Sequence, residues 1–152
     1  MRVVEMIIEK ARVRKSMELY AAIELLDGQR DRDCVLSAML CRDRDELLDG
    51  VIDEAVVDVV AMLSPYVSIV GRPEGEGEML RIESMMAPEM EEVCYVMFYK
   101  AVAYSVLRRW VAITCVDGYV ALTGVCEEHL GRCVDYISKM MGGKGVVTML
   151  RL

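Results

Sequence analysis

Three side chains with the chemistry of metal ligands follow one another at helical spacing near the end of the chain. Cys126, His129 and Cys133 stand at positions i, i+3 and i+7, so one helix face would present two thiols and an imidazole. A structural zinc needs four ligands, and the fourth would have to come from elsewhere, for example Cys94 or Cys115. Free cysteine is also among the most buried residue types, so we interpret the three residues as core positions and predict no metal.

Catalytic chemistry has little support in the sequence. His129 is the single histidine of the chain, and the six cysteines form no CxxC pair. A nucleophilic cysteine would need a base and a third group to orient that base, and no residue near His129 supplies one. We therefore predict a non-enzymatic protein with no catalytic residues and no cofactor.

Two cations and an indole stand together at residues 108–110. Arg108, Arg109 and Trp110 could stack on a partner or bind an anion, and they are our candidates for partner binding. The simpler interpretation is favourable positive charge near the C-terminus of a helix, with an amphipathic tryptophan at the edge of the core. We favour the simpler interpretation.

The composition is unusually apolar. Counted with glycine and without tyrosine, roughly 58% of the 152 residues are apolar, against about 45–50% in ordinary globular domains. Thirteen methionines add side chains that adapt to irregular packing surfaces. An apolar excess of this kind is typical of a chain that covers part of its surface with copies of itself or with another protein.

Charge and cysteine usage exclude several other partners. The net charge of −7 is concentrated in an acidic middle that would repel a phosphate backbone, so no nucleic-acid binding is expected. The longest apolar run is split by Lys100 and closed by Arg108 and Arg109 before it could span a bilayer, so no membrane partner is expected. The first residues lack the pattern of a signal peptide, and free thiols in the cytoplasm are the default expectation.

Helical periodicity dominates the chain. One predicted helix covers residues 2–26, with a stripe at Val4, Ile8, Ala11, Lys15, Leu19, Ala22 and Leu26. A basic cluster on it (Lys10, Arg12, Arg14 and Lys15) is interpreted as a solvated face, and residues 29–42 stay ambiguous. A second helix is predicted from a cap at Asp43 to about Leu63, with one apolar face and one carboxylate face, the latter again interpreted as solvated.

A helix over residues 88–116 is predicted to be the centre of the structure. Nearly every residue between Val93 and Val106 is apolar or aromatic, which is typical of a helix surrounded by protein. A last helix should follow a break at Asp117-Gly118 and end at Gly142-Gly143. Its predicted buried residues are Leu122, Val125, Cys126, His129, Leu130, Cys133, Ile137 and Met140.

Short extended segments surround a glycine-rich stretch. Residues 66–70 and 79–83 could pair as a small hairpin on either side of residues 71–78, an acidic loop that we predict to be flexible. Residues 146–152 have the composition of a C-terminal strand that could join this hairpin. The predicted fold is therefore mainly α: one helical domain over residues 1–152, a bundle of about four to five helices with a small β-hairpin and a C-terminal strand.

The order of these elements resembles a known class of proteins. An N-terminal helix, an acidic helix ending in Leu63-Ser64-Pro65-Tyr66, a short extended segment, a long helix ending in Arg109-Trp110 and a final helix are similar to small helical proteins of tailed bacteriophages and prophages. Head–tail connector and head-completion subunits are the nearest type. The resemblance implies a ring-forming, virion-associated structural subunit that contacts its own copies and neighbouring virion proteins, with no catalytic residues.

Two functional hypotheses follow. The first is a structural or assembly protein that acts through self-association and protein–protein contacts. The alternative is a helical binding module that holds a small apolar ligand, or a structural metal at Cys126, His129 and Cys133.

Overall fold

A computed structural model describes residues 2–24, 45–71, 77–84, 88–114 and 119–142. In chain order, these form strand β1 (Arg2–Glu9), helix α1 (Lys10–Glu24), helix α2 (Asp45–Met62), strands β2 (Val67–Gly71) and β3 (Gly77–Ser84), a 3₁₀ turn (Pro88–Met90), helix α3 (Glu91–Thr114) and helix α4 (Tyr119–Met140). The three strands form one antiparallel sheet in the order β1-β3-β2. The mainly α class with a small β part is confirmed.

Helix α3 is the centre of the packing, as predicted. Every residue from Ala101 to Leu107 is buried, and α3 packs against α1, α2 and α4. The helix follows Pro88 by one turn and begins with Glu91 and Glu92, whose carboxylates favour the positive end of its dipole. Its first turns differ from the prediction, because Val93 and Val96 are exposed.

Helices α2 and α4 also follow their predicted patterns. The inward positions predicted for α2 are all buried: Leu48, Val51, Ile52, Ala55, Val56, Val59, Val60 and Leu63. Of the residues predicted to be buried in α4, Cys126, Leu130, Cys133 and Ile137 are buried, whereas Val125, His129 and Met140 are only half-buried; the Leu122 side chain lies outside the described residues. The end of α4 is confirmed as well: Gly142 has a φ of 82°, and its amide donates to the Lys139 carbonyl at 3.1 Å, a geometry that favours glycine.

The predicted first helix is wrong over residues 2–9, which form β1. Met6 and Ile8 are buried while Val3, Glu5 and Ile7 are exposed, the alternation of a strand with one covered face. The segment is rich in β-branched residues, and β3 supplies a partner along its whole length.

The predicted stripe also fails in the part that is helical. Ala11, Lys15 and Leu19 are exposed, Leu19 by 55%, whereas Val13 and Met17 are buried. Because the helix begins only at Lys10, a stripe extrapolated from Val4 and Ile8 points to the wrong face of α1.

The predicted hairpin is confirmed as β2 and β3, with Val67 opposite Ile82 and Ile69 opposite Leu80. Gly71 and Gly77 belong to these strands, so the predicted loop is reduced to residues 72–76. Those five residues lie outside the described residues, as do residues 29–42 and the predicted C-terminal strand. The third strand of the described sheet is β1. The buried sheet face joins the helices in one hydrophobic core with members from every described helix and strand.

Candidate functional site

Helix α4 turns the three predicted metal-ligand candidates toward the bundle. Cys126 and Cys133 are buried, and the half-buried ring of His129 stacks on Tyr104 of α3, with centroids 4.7 Å apart and planes at 13°. Tyr104 in turn packs against Tyr20 of α1, with centroids 4.9 Å apart. His129 is therefore part of an aromatic stack between three helices.

The thiols in this region are poorly suited to bind a metal. Burial raises the pKa of Cys133, an effect that the nearby Lys100 ammonium partly opposes, and burial raises the pKa of Cys94 to about 11. Both thiols therefore hold their protons more firmly than an exposed cysteine does, and a metal would have to displace those protons to bind. Within the described ranges, no three His, Cys, Asp or Glu side chains are grouped to hold a metal ion. Cys115 lies outside those ranges.

The candidate partner-binding residues Arg108, Arg109 and Trp110 do not form an exposed patch. Trp110 is fully buried. Arg109 donates to Glu54 of α2 at 2.7 Å and also contacts the carboxylate of Asp58. Arg108 lies 3.7 Å from Glu127 of α4. The three residues therefore join α3 to its neighbouring helices. The simpler interpretation does not hold either, because α3 continues to Thr114 beyond both arginines and Trp110 lies inside the core and not at its edge.

The carboxylate face of α2 and the basic cluster of α1 meet each other. The Lys10 ammonium lies 3.1 Å from Asp53, and the Arg14 guanidinium lies 2.6 Å from Asp49. Both clusters had been interpreted as solvated faces, and for these residues that interpretation is wrong. These ion pairs could not be predicted from the sequence, because each charge lies more than 30 residues from its partner and helical periodicity reports nothing about contacts between helices.

Two tyrosines of α3 cover part of the outer edge of β1. The backbone N–H of Glu9 donates to the Tyr99 hydroxyl at 2.8 Å, while the hydroxyls of Tyr95 and Tyr99 approach the Ile7 carbonyl at 3.0 and 3.3 Å. Burial and then the Tyr95 hydroxyl raise the pKa of Tyr99, so the phenol keeps its proton. The guanidinium carbon of Arg12 lies 4.3 Å from the Tyr99 ring centroid and 4.8 Å from that of Tyr95. The end of β1 is thus tied to α3 by hydrogen bonds to its backbone groups, and the first turn of α1 is tied to the same tyrosines by a cation–π contact.

Replacing Tyr99 with phenylalanine should reduce stability by about 1–2 kcal/mol, because the Glu9 N–H loses its acceptor in a part-buried site. Tyr95→Phe is the matched control and should cost less, since the Ile7 carbonyl keeps the Tyr99 hydroxyl. Urea denaturation of both variants measures the difference. Equal losses would contradict the role assigned to Tyr99.

Beyond the tyrosines, a cleft with a volume of about 450 Å³ runs between β1 and the start of α3. Its lining consists of residues 4–7 and Glu9 from the strand with Glu91, Glu92 and Tyr95 from the helix. Four of these side chains are carboxylates and none is cationic. We call this cleft the β1 groove. No sequence motif predicted it, although the β-branched residues Val3, Val4, Ile7 and Ile8 could have indicated the strand.

An apolar surface lies on the opposite side of α3, along α4. The stacked pair of Tyr104 and His129 sets the register of the two antiparallel helices, which places Tyr136 level with Met97 and Met140 level with Val93. Val93, Val96 and Tyr136 are 39%, 44% and 46% exposed. We call these three residues, with the half-buried Met97 and Met140, the α3–α4 patch.

Among the described residues, none of the helices has the combination of length and hydrophobicity needed to cross a bilayer. No protein-family model, no curated protein and no solved structure matches this chain.

Proposed function

We propose that the chain is a non-enzymatic structural protein that self-associates through the α3–α4 patch. The observation that supports this is the exposure of Val93, Val96 and Tyr136 at one end of the helix pair, in a chain whose apolar content is already high. Exposed apolar side chains grouped at one level are more informative than the same residues scattered singly over a surface.

A second copy of the same chain is the simplest partner for this patch. In a two-fold contact the same residues face each other, so an apolar patch is complementary to itself without any further adjustment of charge. Aromatic residues and methionine are also enriched in protein–protein interfaces, and the patch contains Tyr136, Met97 and Met140.

Sedimentation velocity over a concentration series tests this proposal. We expect the wild-type chain to sediment as more than a monomer, and Val96→Glu or Tyr136→Glu to shift it to the monomer, because each places a carboxylate in the contact. Val57→Glu is the matched control: Val57 is 45% exposed on α2, outside the patch, and its variant should sediment like the wild type. A monomeric wild-type chain, or equal loss of association in all three variants, would overturn the proposal.

A ring-forming subunit of the phage connector type is the more specific form of this proposal. It rests on the resemblance in the order of helices, the first of which begins at Lys10 rather than at the start of the chain. Native mass spectrometry would distinguish a ring from a dimer by the number of copies, and neighbouring portal or capsid genes would support the assignment. Gene neighbours without any virion protein would count against this form, while the sedimentation result would still decide self-association.

A further inference from the structure

The outer edge of β1 is open at its N-terminal half. β1 is an edge strand, since the sheet order is β1-β3-β2. The backbone groups of Ile7 and Glu9 point away from β3, toward the tyrosines of α3. Successive residues of an antiparallel strand alternate in this direction, so the backbone groups of Val3 and Glu5 point outward as well. Among the described residues, none donates or accepts a hydrogen bond at the outward groups of Val3 and Glu5.

The β1 groove beside this edge is lined by negative charge. Glu5 and Glu9 come from the strand, and Glu91 and Glu92 from the first turn of α3. Two described cations lie near the groove: Arg81 stands directly opposite Glu5 across the β1–β3 pair, and Arg12 lies over the rings of Tyr95 and Tyr99. A second copy of β1 added edge to edge would bring the same carboxylates together, and that repulsion disfavours a β1–β1 contact.

We propose that the β1 groove binds an extended basic segment of a partner protein, which adds to β1 as a fourth strand. Strand addition draws its affinity from main-chain hydrogen bonds and its specificity from alternate side chains. Lysine or arginine side chains on one face of the segment would approach Glu92, which is exposed at the start of α3. β-Branched side chains on its other face would lie beside Val3 and Ile7, which are exposed on the outer face of the sheet. The proposal concerns a different surface from the α3–α4 patch and does not depend on self-association.

The probe is a synthetic peptide in which lysine alternates with valine, labelled for fluorescence anisotropy. Two control peptides carry glutamate in place of lysine, or one central proline that removes a main-chain donor. We expect saturable binding of the lysine–valine peptide by the full chain, and binding at least about tenfold weaker for either control peptide.

Two variants separate the backbone from the charge. Val3→Pro removes an outward N–H from the edge of β1 and keeps every charge, and proline is tolerated at such edge positions. Glu92→Lys reverses one charge of the groove on the side where the lysines are placed, and keeps the backbone. Each should weaken the lysine–valine peptide about tenfold, while Glu46→Lys, an exposed site in the first turn of α2, should leave its affinity unchanged. If Val3→Pro impairs folding by circular dichroism, Glu92→Lys alone decides.

Several results would overturn the proposal. One is the absence of saturable binding of the lysine–valine peptide, and another is equal affinity for that peptide in Val3→Pro, Glu92→Lys and the wild type. Loss of self-association in Val3→Pro would assign the edge to a second copy instead. A further result concerns the Lys144→Glu, Arg151→Glu double variant. If this variant binds the lysine–valine peptide at least tenfold more tightly than the wild type does, the groove is assigned to the chain's own C-terminal residues. None of the peptide results alters the sedimentation test of the α3–α4 patch.

Discussion

Val102→Asp should prevent the chain from folding. Val102 is fully buried in the middle of α3, with buried residues on both sides of it along the helix. A carboxylate without a partner at this position costs several kcal/mol or more, against a total stability of about 5–15 kcal/mol for a typical domain. We expect insoluble protein, or a soluble chain without a cooperative urea transition by circular dichroism.

Val57→Asp is the matched control, because it makes the same substitution in a helix at an exposed position outside the α3–α4 patch. Helix propensity changes similarly in both variants, so the difference between them reports burial. Val57→Asp should keep a cooperative transition close to that of the wild type. If Val102→Asp instead folds normally and only dissociates an oligomer, α3 is an interface and the core lies elsewhere.

Gly77→Ala should destabilise the sheet by about 1–3 kcal/mol, the usual cost of forcing extra volume into a tightly packed site. Gly77 stands opposite Glu9 at the end of the β1–β3 pair. A Cβ atom built on Gly77 would lie 2.4 Å from the Ile8 carbonyl oxygen and 3.2 Å from its carbonyl carbon. Both atoms belong to the backbone, so no side chain can rotate away, and the two strands would have to separate.

Gly50→Ala should change stability in the opposite direction and stabilise the chain. Gly50 is an exposed position inside α2, and a Cβ atom there would meet nothing within 4 Å. Glycine in a helix interior is less stable than alanine by roughly 0.5–1 kcal/mol, so the substitution should stabilise the chain. Thermal and urea denaturation of the two variants compare the same chemical change at two sites. A neutral Gly77→Ala would mean that the ends of β1 and β3 are not closely paired.

The two proposed interaction surfaces follow from one feature of the fold: α3 is covered less completely at its start than in its middle. Its middle is buried on all sides, whereas its first turns bury Cys94 and Phe98 but present Glu92 and Val96 to solvent. One side of this end contributes to the β1 groove and the other to the α3–α4 patch. A charged partner and an apolar partner could therefore bind at the same end of the molecule without competing for the same residues.

Local periodicity was sufficient for the three later helices. The buried face of α2, the central position of α3 and the glycine end of α4 all follow from residues within a few turns of one another, and each is confirmed. The hairpin of β2 and β3 could be predicted for the same reason, since its strands are adjacent in sequence. In each case the pattern that forms the element is complete within the element.

β1 could not be assigned in this way. Its apolar residues fit a helical stripe nearly as well as an alternating one. Residues 2–9 form a strand because they pair with β3, almost seventy residues further along the chain. Once residues 2–9 pair with β3, the helix can begin only at Lys10, and the face of α1 that packs inward shifts to Val13 and Met17. A local ambiguity was thus resolved by a non-local hydrogen-bond ladder.

The candidate sites depended on tertiary structure even more strongly. From the sequence alone, Arg109, Cys133 and the carboxylate face that includes Asp49 could be recognised as groups capable of binding or catalysis, because residue type is local information. Whether each lies in solvent, meets an opposite charge or is buried beside Lys100 depends on which helix packs next to it. The β1 groove is the extreme case: it lies between elements more than eighty residues apart in sequence. Such a groove exists only after the sheet and α3 have packed together, because neither of them has it alone.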